Sequence, residues 1–198
     1  MPKFASRRIV LQLAATVAIC AAIPVVHPAF AADPAQLVQN TAQQVIEIIK
    51  TKTGAERQAA ILGVLQTSFD MPAMGRSALG RYWNQATEQE RARFLKAVAT
   101  VEAKAYSERF GQYGGQTLTI GKVTPGSNGL TVVDSRLNQT SGQPIKIEWE
   151  IRNDRIIDVR VEGVSMVMTR RADFSSYIQS QGRGVEPLVS ELEARAAR

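Results

Sequence analysis

From Ile145 to Arg152 every second residue is apolar: Ile145, Ile147, Trp149 and Ile151 alternate with Lys146, Glu148, Glu150 and Arg152. A period of two puts the first set on one face of a strand and the second on the other, which a helix cannot do. The two-residue link Asn153-Asp154 leads into Ile157, Val159 and Val161, alternating with Asp158, Arg160 and Glu162. Such a pair predicts an antiparallel hairpin, dry on one face and wet on the other. Turn residues at Gly114-Gly115, Pro125 to Gly129 and Asn138 to Pro144 separate further candidate strands. The stretch from Gly111 to Gly163 therefore reads as an antiparallel sheet of about four strands.

Helical signals flank this sheet. Asp33-Pro34 supplies an N-cap and an N1 proline before Val38, Thr41, Val45 and Ile49 at helical spacing. Thr53 with Glu56 predicts a capping box ahead of Ile61, Leu62 and Leu65. Asp70 before Met71-Pro72 is a third cap, opening a segment rich in bulky groups, among them Met74, Leu79 and Trp83. Thr87 to Glu90 forms a second capping box before a long stripe through Phe94, Leu95, Val98, Val101, Ala105 and Tyr106 to Phe110. After Gly163 the helical period returns with Val164, Met168, Phe174 and Ile178, and after Gly182-Arg183-Gly184 a last helix carries Leu188 and Leu192, with Pro187 in its first turn. The expected class is α+β, with an antiparallel sheet packed against N-terminal and C-terminal helices.

The first 31 residues read as an export leader: a basic start (Lys3, Arg7, Arg8), an apolar run from Ile9 to Val26, and Ala29-Phe30-Ala31 as the cleavage pattern. Pro24, Pro28 and that pattern argue against an uncleaved anchor. Ser6-Arg7-Arg8 also resembles a twin-arginine signal, so the route is Sec or Tat. Cleavage after Ala31 leaves 167 of the 198 residues, residues 32–198, as a single domain in the periplasm. It removes the chain's only cysteine, Cys20, and its only histidine, His27.

The mature chain then has no disulfide, no thiolate nucleophile, and neither the usual metal ligand nor the usual general base. Of 24 basic residues three go with the leader, leaving a net charge of +3 against 18 acidic ones, too little to argue for nucleic acid. No phosphate loop, nucleophile elbow or metal-ligand spacing is present. Asp70 and Glu148 are the carboxylates on which a small hydrolase or isomerase could be built, but a helix cap and cross-strand pairing account for them.

Phe69-Asp70, Met74, Leu79-Gly80-Arg81-Tyr82-Trp83, Ala86-Thr87, Glu90-Arg91 and Phe94, followed by Val161-Glu162-Gly163-Val164-Ser165-Met166 with Arg171, Phe174 and Ile178, resemble the MlaC/toluene-tolerance family of periplasmic phospholipid-binding proteins. The resemblance spans most of the mature chain. It implies an apolar cavity between sheet and helices that sheathes acyl chains, with the headgroup near solvent and without catalysis, cofactor or metal. The implied role is to ferry phospholipid between an outer-membrane lipoprotein complex and an inner-membrane ABC transporter of the Mla type, as a monomer, maintaining outer-membrane lipid asymmetry. Such escort has a physical basis: hydrating a chain of roughly 16 carbons costs about 12 kcal/mol at ~0.8 kcal/mol per methylene.

On this reading the candidate lipid-cavity residues are Met71, Met74, Trp83, Phe94, Val98, Tyr106, Trp149, Val161, Val164, Met168 and Phe174. Arg81, Arg170, Arg171 and Arg183 are candidates for headgroup or partner contact. A hopanoid or sterol-like lipid is the alternative ligand within the same fold, and a ligand-free envelope adaptor is the alternative of another kind.

Overall fold

The computed structural model describes residues 33–110 and 113–198. The export leader and its cleavage site lie outside the described residues. Among the described residues six α-helices and five strands follow in the order α1 (Pro34–Thr51), α2 (Gly54–Ser68), α3 (Met71–Leu79), a 3-10 turn (Gly80–Asn84), α4 (Glu88–Phe110), β1 (Thr117–Pro125), β2 (Thr131–Asn138), β3 (Ile145–Arg152), β4 (Arg155–Val161), β5 (Val164–Ser165), α5 (Met166–Gln181) and α6 (Glu186–Ala196). Among the described residues no helix is long and apolar enough to cross a membrane.

Local chemistry sets most of these boundaries. Asp33 accepts from the Ala35 amide at 3.0 Å, and Asp70 from the Ala73 amide at 3.0 Å, each in front of a proline in the first turn. The Thr87–Glu90 box is complete: the Glu90 amide donates to Thr87 Oγ1 at 3.1 Å and the Thr87 amide to Glu90 Oε2 at 2.7 Å. The expected Thr53–Glu56 box does not form. Thr53 makes no side-chain cap bond, and Glu56 pairs with Lys52 four residues back, where an ammonium gives the carboxylate a stronger partner than a backbone amide.

All five strands run antiparallel to their neighbours in the order β1-β2-β3-β4-β5. Asn153 and Asp154 both take positive φ, 50° and 58°, which is the turn that a two-residue hairpin with right-handed twist requires. The fifth strand, added to the four expected, comes from a second turn of this kind. Glu162 (φ 50°) and Gly163 (φ 79°) fold the chain back, so Val164 and Ser165 pair with Val161 and Arg160 before helix α5 begins. Val164 is thus in a strand, where the helical period had placed it in a helix.

A bulge corrects the alternation in β4. Ile151 faces Ile156 while Glu150 faces Asp158, so Ile157 is the extra residue. Ile156, with no exposed surface, takes the core position expected of Ile157, and Ile157 turns to the polar face.

The dry face of the sheet buries Val133, Ile151 and Ile156 against Val38 of α1. A larger core lies among α3 to α6, built on Leu79, Phe94, Phe174, Ile178, Leu188 and Val189. A third, from α2 and α4, is centred on Ile61, Leu65 and Ala103. Arg93 of α4 clamps α6 through Glu186 at 2.9 Å and Glu193 at 2.6 Å. Helices and sheet are pinned together at one end of β4. Phe69 and Ile156 form a parallel bridge, the Asp70 amide donates to Ile156 O at 2.9 Å, and Arg155 donates to Gln66 O at 2.9 Å and Phe69 O at 3.2 Å, satisfying carbonyls at the end of α2.

Candidate functional site

The apolar layer of the sheet and the α2–α4 cluster share one side chain, Phe69, at the pinned end. Around both clusters large groups remain only partly buried. From the sheet these are Leu118, Ile120, Trp149 and Val159; from the helices they include Met71, Tyr106 and Phe110 beside Leu37, Val45, Ile48 and Leu62. A cavity of about 420 Å³ opens beside this junction, with Phe69, Met71, Pro72 and Arg155 among its lining residues.

Each of the aromatic groups here is fixed. Trp149 donates its indole N–H to Ser135 Oγ at 2.8 Å, and Ser135, buried on the same face, donates to Ile147 O at 3.2 Å. The ring therefore has its polar edge satisfied inside the sheet. Tyr106 and Phe110 stack at 5.8 Å between centroids, one turn apart on α4. Burial raises the Tyr106 phenol above its ordinary value, and the nearby Glu102 carboxylate adds to the effect, so the ring stays uncharged.

The residues expected to line one cavity separate into distinct environments. Met71 and Tyr106 border the α2–α4 cluster and Trp149 borders the sheet cluster, so these three belong to the junction. Phe94, Val98 and Phe174 belong to the packed core among α3 to α6, where Phe94 meets Phe174 edge-on at 5.5 Å. Met74 and Trp83 pack against that same core. Val161 is half-buried, whereas Val164 and Met168 are 55% and 52% exposed. Periodicity could not separate these groups, because helix-on-helix and helix-on-sheet burial leave the same apolar stripe in a sequence. Phe69, Phe110, Val159, Leu118 and Ile120 belong to the junction without having been expected there. Val159 shared the alternation of Val161, and Phe110 closed the α4 stripe, which were the signals available.

On the polar face of the sheet a second cavity, about 250 Å³, lies against α3 and α5 and is lined by Asp70, Ser77, Glu150, Ile157, Asp158 and Arg160 among others. Its carboxylates are engaged. Asp70 caps α3, Glu150 pairs with Arg160 at 2.7 Å, and Asp158 accepts from the amides of Val159 at 2.8 Å and Val167 at 3.1 Å and from the Ser165 hydroxyl. Glu148, the other acid considered for catalysis, pairs with Lys146 at 2.9 Å. Among the described residues no group of three or more His, Cys, Asp or Glu side chains converges as metal ligands would.

The four arginines also divide. Arg170 ties α5 to α4 through Glu102 at 2.5 and 3.1 Å; that bond raises its pKa further, and its charge is compensated. Arg81 lies over the Tyr82 ring and donates to the Tyr82 hydroxyl at 2.9 Å, which holds that phenol below its ordinary value. Arg171 lies against Gly80, whose φ of +55° and missing Cβ leave room for the guanidinium. Arg183 is exposed in the loop between α5 and α6.

Comparison with known proteins places this geometry. The model of the MlaC protein family matches residues 39–194. A solved structure described as the phospholipid-binding protein from Ralstonia solanacearum in complex with a phospholipid shares the fold, with a TM-score of 0.72 at 20% sequence identity. The match covers 84% of this chain and 98% of that one.

Proposed function

This chain belongs to the MlaC family, and from that premise we propose that it is a periplasmic, non-catalytic carrier of glycerophospholipid, holding acyl chains where the sheet meets the helices. The observation that carries the reading is the junction around Phe69. There Trp149, Val159, Met71, Tyr106 and Phe110 are large, apolar and only partly buried, on two layers that are pinned at one end of β4. Exposed apolar surface of this kind is unfavourable in water by about 25 cal/mol per Å², and an acyl chain is a natural cover. The phospholipid held by the Ralstonia solanacearum protein of the same fold supports the choice of ligand.

The cavity of about 420 Å³ lies in the lower part of the ~300–1,000 Å³ range of sites that enclose drug-sized ligands. A lipid with two long chains therefore requires the helices to move off the sheet, and the carrier exchanges cargo only when something offsets the loss of apolar contact. Membrane complexes, an inner-membrane ABC transporter and an outer-membrane lipoprotein complex, are the partners this demands. In that role the protein returns phospholipid between membranes and sustains their asymmetry.

Native mass spectrometry with lipid extraction, on protein recovered from a bacterial periplasm without detergent, tests the proposal. A phospholipid adduct is expected, and Val159→Lys or Phe110→Glu should deplete it while the protein stays folded. A co-purifying hopanoid would change the cargo, and a folded protein consistently empty of lipid would refute the carrier.

A further inference from the structure

Most arginines among the described residues have no carboxylate within 4 Å, and four of these cluster around the 3-10 turn. Arg93, Arg160, Arg170 and Arg195 each sit within 4 Å of a carboxylate. Around the 3-10 turn, four do not: among the described residues Arg76, Arg81, Arg91 and Arg171 have no acidic partner at that distance. They are nevertheless fixed in place. Arg76 and Arg91 lie over the Trp83 ring at 5.4 and 5.3 Å, and Arg91 also donates to Trp83 O at 2.9 Å. Arg81 lies over Tyr82 at 4.9 Å, and the Arg171 guanidinium fills the space a Cβ on Gly80 would need. Stacking on a ring compensates a guanidinium only weakly, and the bonds of Arg81 to the Tyr82 hydroxyl and of Arg91 to Trp83 O each use one N–H donor and bring no negative charge. The result is a set of four uncompensated cations held on a short stretch of surface.

Exposed apolar groups stand on β5 and on α5, the helix that carries Arg171. Val164 and Met168 are two of the three large hydrophobic residues exposed among the described ones. Met168 shares a cavity lining with Ala73 and Ser77 of α3 and with Asp70, Glu150 and Asp158, whose carboxylates are engaged in caps and ion pairs, and Arg171 follows it by three residues on α5, one turn further along the α3–α5 pair. Both apolar side chains were expected to line a lipid cavity, and in the structure both are more than half exposed.

We propose that this face docks the protein on an anionic phospholipid bilayer, with the guanidiniums of Arg76, Arg81, Arg91 and Arg171 on lipid phosphates and Val164 and Met168 reaching the headgroup boundary. The inference rests on the carrier reading, which gives the protein a reason to meet a membrane surface. A fixed guanidinium matches a phosphate with two parallel N–H donors, and cations flanking protruding apolar side chains are the pattern of interfacial binding. An acidic protein partner fits less well, because a protein interface is built around a desolvated apolar core and here the apolar groups stand out singly.

Flotation with vesicles tests it, using protein recovered from a bacterial periplasm and its Arg76→Gln/Arg81→Gln/Arg171→Gln variant. Vesicles of equal parts phosphatidylglycerol and phosphatidylcholine should bind the protein, and vesicles of phosphatidylcholine alone should not. The triple variant should lose at least about tenfold in binding, given the attraction of each arginine to an anionic surface. Raising salt from about 50 to about 500 mM should release the wild type, because it shortens the screening length. Met168→Ser should weaken binding and leave its salt dependence in place. No binding to the anionic vesicles, or equal binding by the triple variant, overturns the proposal; capture of the protein by an acidic protein instead of vesicles also does so. Lipid content of the same preparation is read by mass spectrometry. Protein that carries lipid yet ignores the vesicles refutes the docking face alone, whereas protein that carries none refutes the carrier.

Discussion

Replacing Asp158 by alanine should be among the most damaging single changes in this domain, although the residue touches no ligand surface proposed above. Asp158 is 6% exposed and joins three elements at once. From β4 it accepts from its neighbour Val159 at 2.8 Å, from the hydroxyl of Ser165 in β5, and from the Val167 amide at 3.1 Å in the first turn of α5. Ser165 in turn caps α5 by accepting from the Met168 amide at 3.0 Å. Alanine leaves the buried Val167 amide and Ser165 hydroxyl without their acceptor. At about 1–3 kcal/mol for each buried donor left unpaired, the loss is about 4 kcal/mol. For a domain of this size that corresponds to a fall in Tm of about 8–16 °C, read by circular dichroism.

Asp158→Asn separates the hydrogen bonds from the charge. The remaining carbonyl oxygen can still serve the two amides, so the loss should be only about 1–2 kcal/mol, made up of the displaced Ser165 bond and the lost charge at a helix N-terminus. Ser165→Ala combined with Asp158→Ala should cost less than the sum of the two, with a coupling of about 1 kcal/mol or more. An Asp158→Ala protein within about 1 kcal/mol of the wild type would refute the reasoning, because the buried donors would then have found other partners.

Gly80→Ala should cost about 2 kcal/mol, because φ of +55° strains a residue with a Cβ and that atom would lie 2.5 Å from Arg171 Nε; a loss below about 0.5 kcal/mol in urea unfolding would refute it. Acid should loosen the α4–α6 clamp. The Arg93 guanidinium bonded to Glu193 holds that carboxyl below its usual value of 4.5, and the Thr87 amide does the same for Glu90. A depressed carboxyl contributes stability above its unfolded value and loses it as pH falls through the folded one, so the urea midpoint should drop below pH 4.5, and less so in Glu193→Gln. A midpoint flat down to about pH 3 would refute that contribution.

The features legible in the sequence were those written in contiguous residues. The Asp33, Asp70 and Thr87–Glu90 caps, the Asn153-Asp154 turn and the α4 stripe each depend on a few neighbours along the chain, and each is present. Thr53–Glu56 shows the limit even there, since its sequence is the same signature, but Lys52 competes for the carboxylate. Where two elements had to be placed against each other, the pattern was silent. Val98 and Tyr106 are two turns apart on one stripe of α4, yet Val98 is buried among α3 to α6 and Tyr106 borders the junction.

Asp158 is the sharpest instance of that silence. Its alternation with Val159 and Val161 assigned it to the wet face, and it does lie on the polar side. That side is not solvent at this point, because the bulge at Ile157 and the turn at Glu162-Gly163 bring α5 back over it. A period of two records which face a side chain takes but not what later covers that face. Two backbone irregularities, one unmarked in the sequence and one marked by a single glycine, therefore convert an ordinary surface carboxylate into the group that fixes α5. The same displacement carries Val164 and Met168 to the outside, because once Ser165 is held by Asp158 the first turn of α5 must present Met168 away from the core that Val167 enters. The exposed apolar pair and the buried carboxylate are thus consequences of one local arrangement. An Asp158→Ala protein that remains folded should weaken binding to anionic vesicles along with its stability, and a stable variant of this kind with unchanged vesicle binding would break that link.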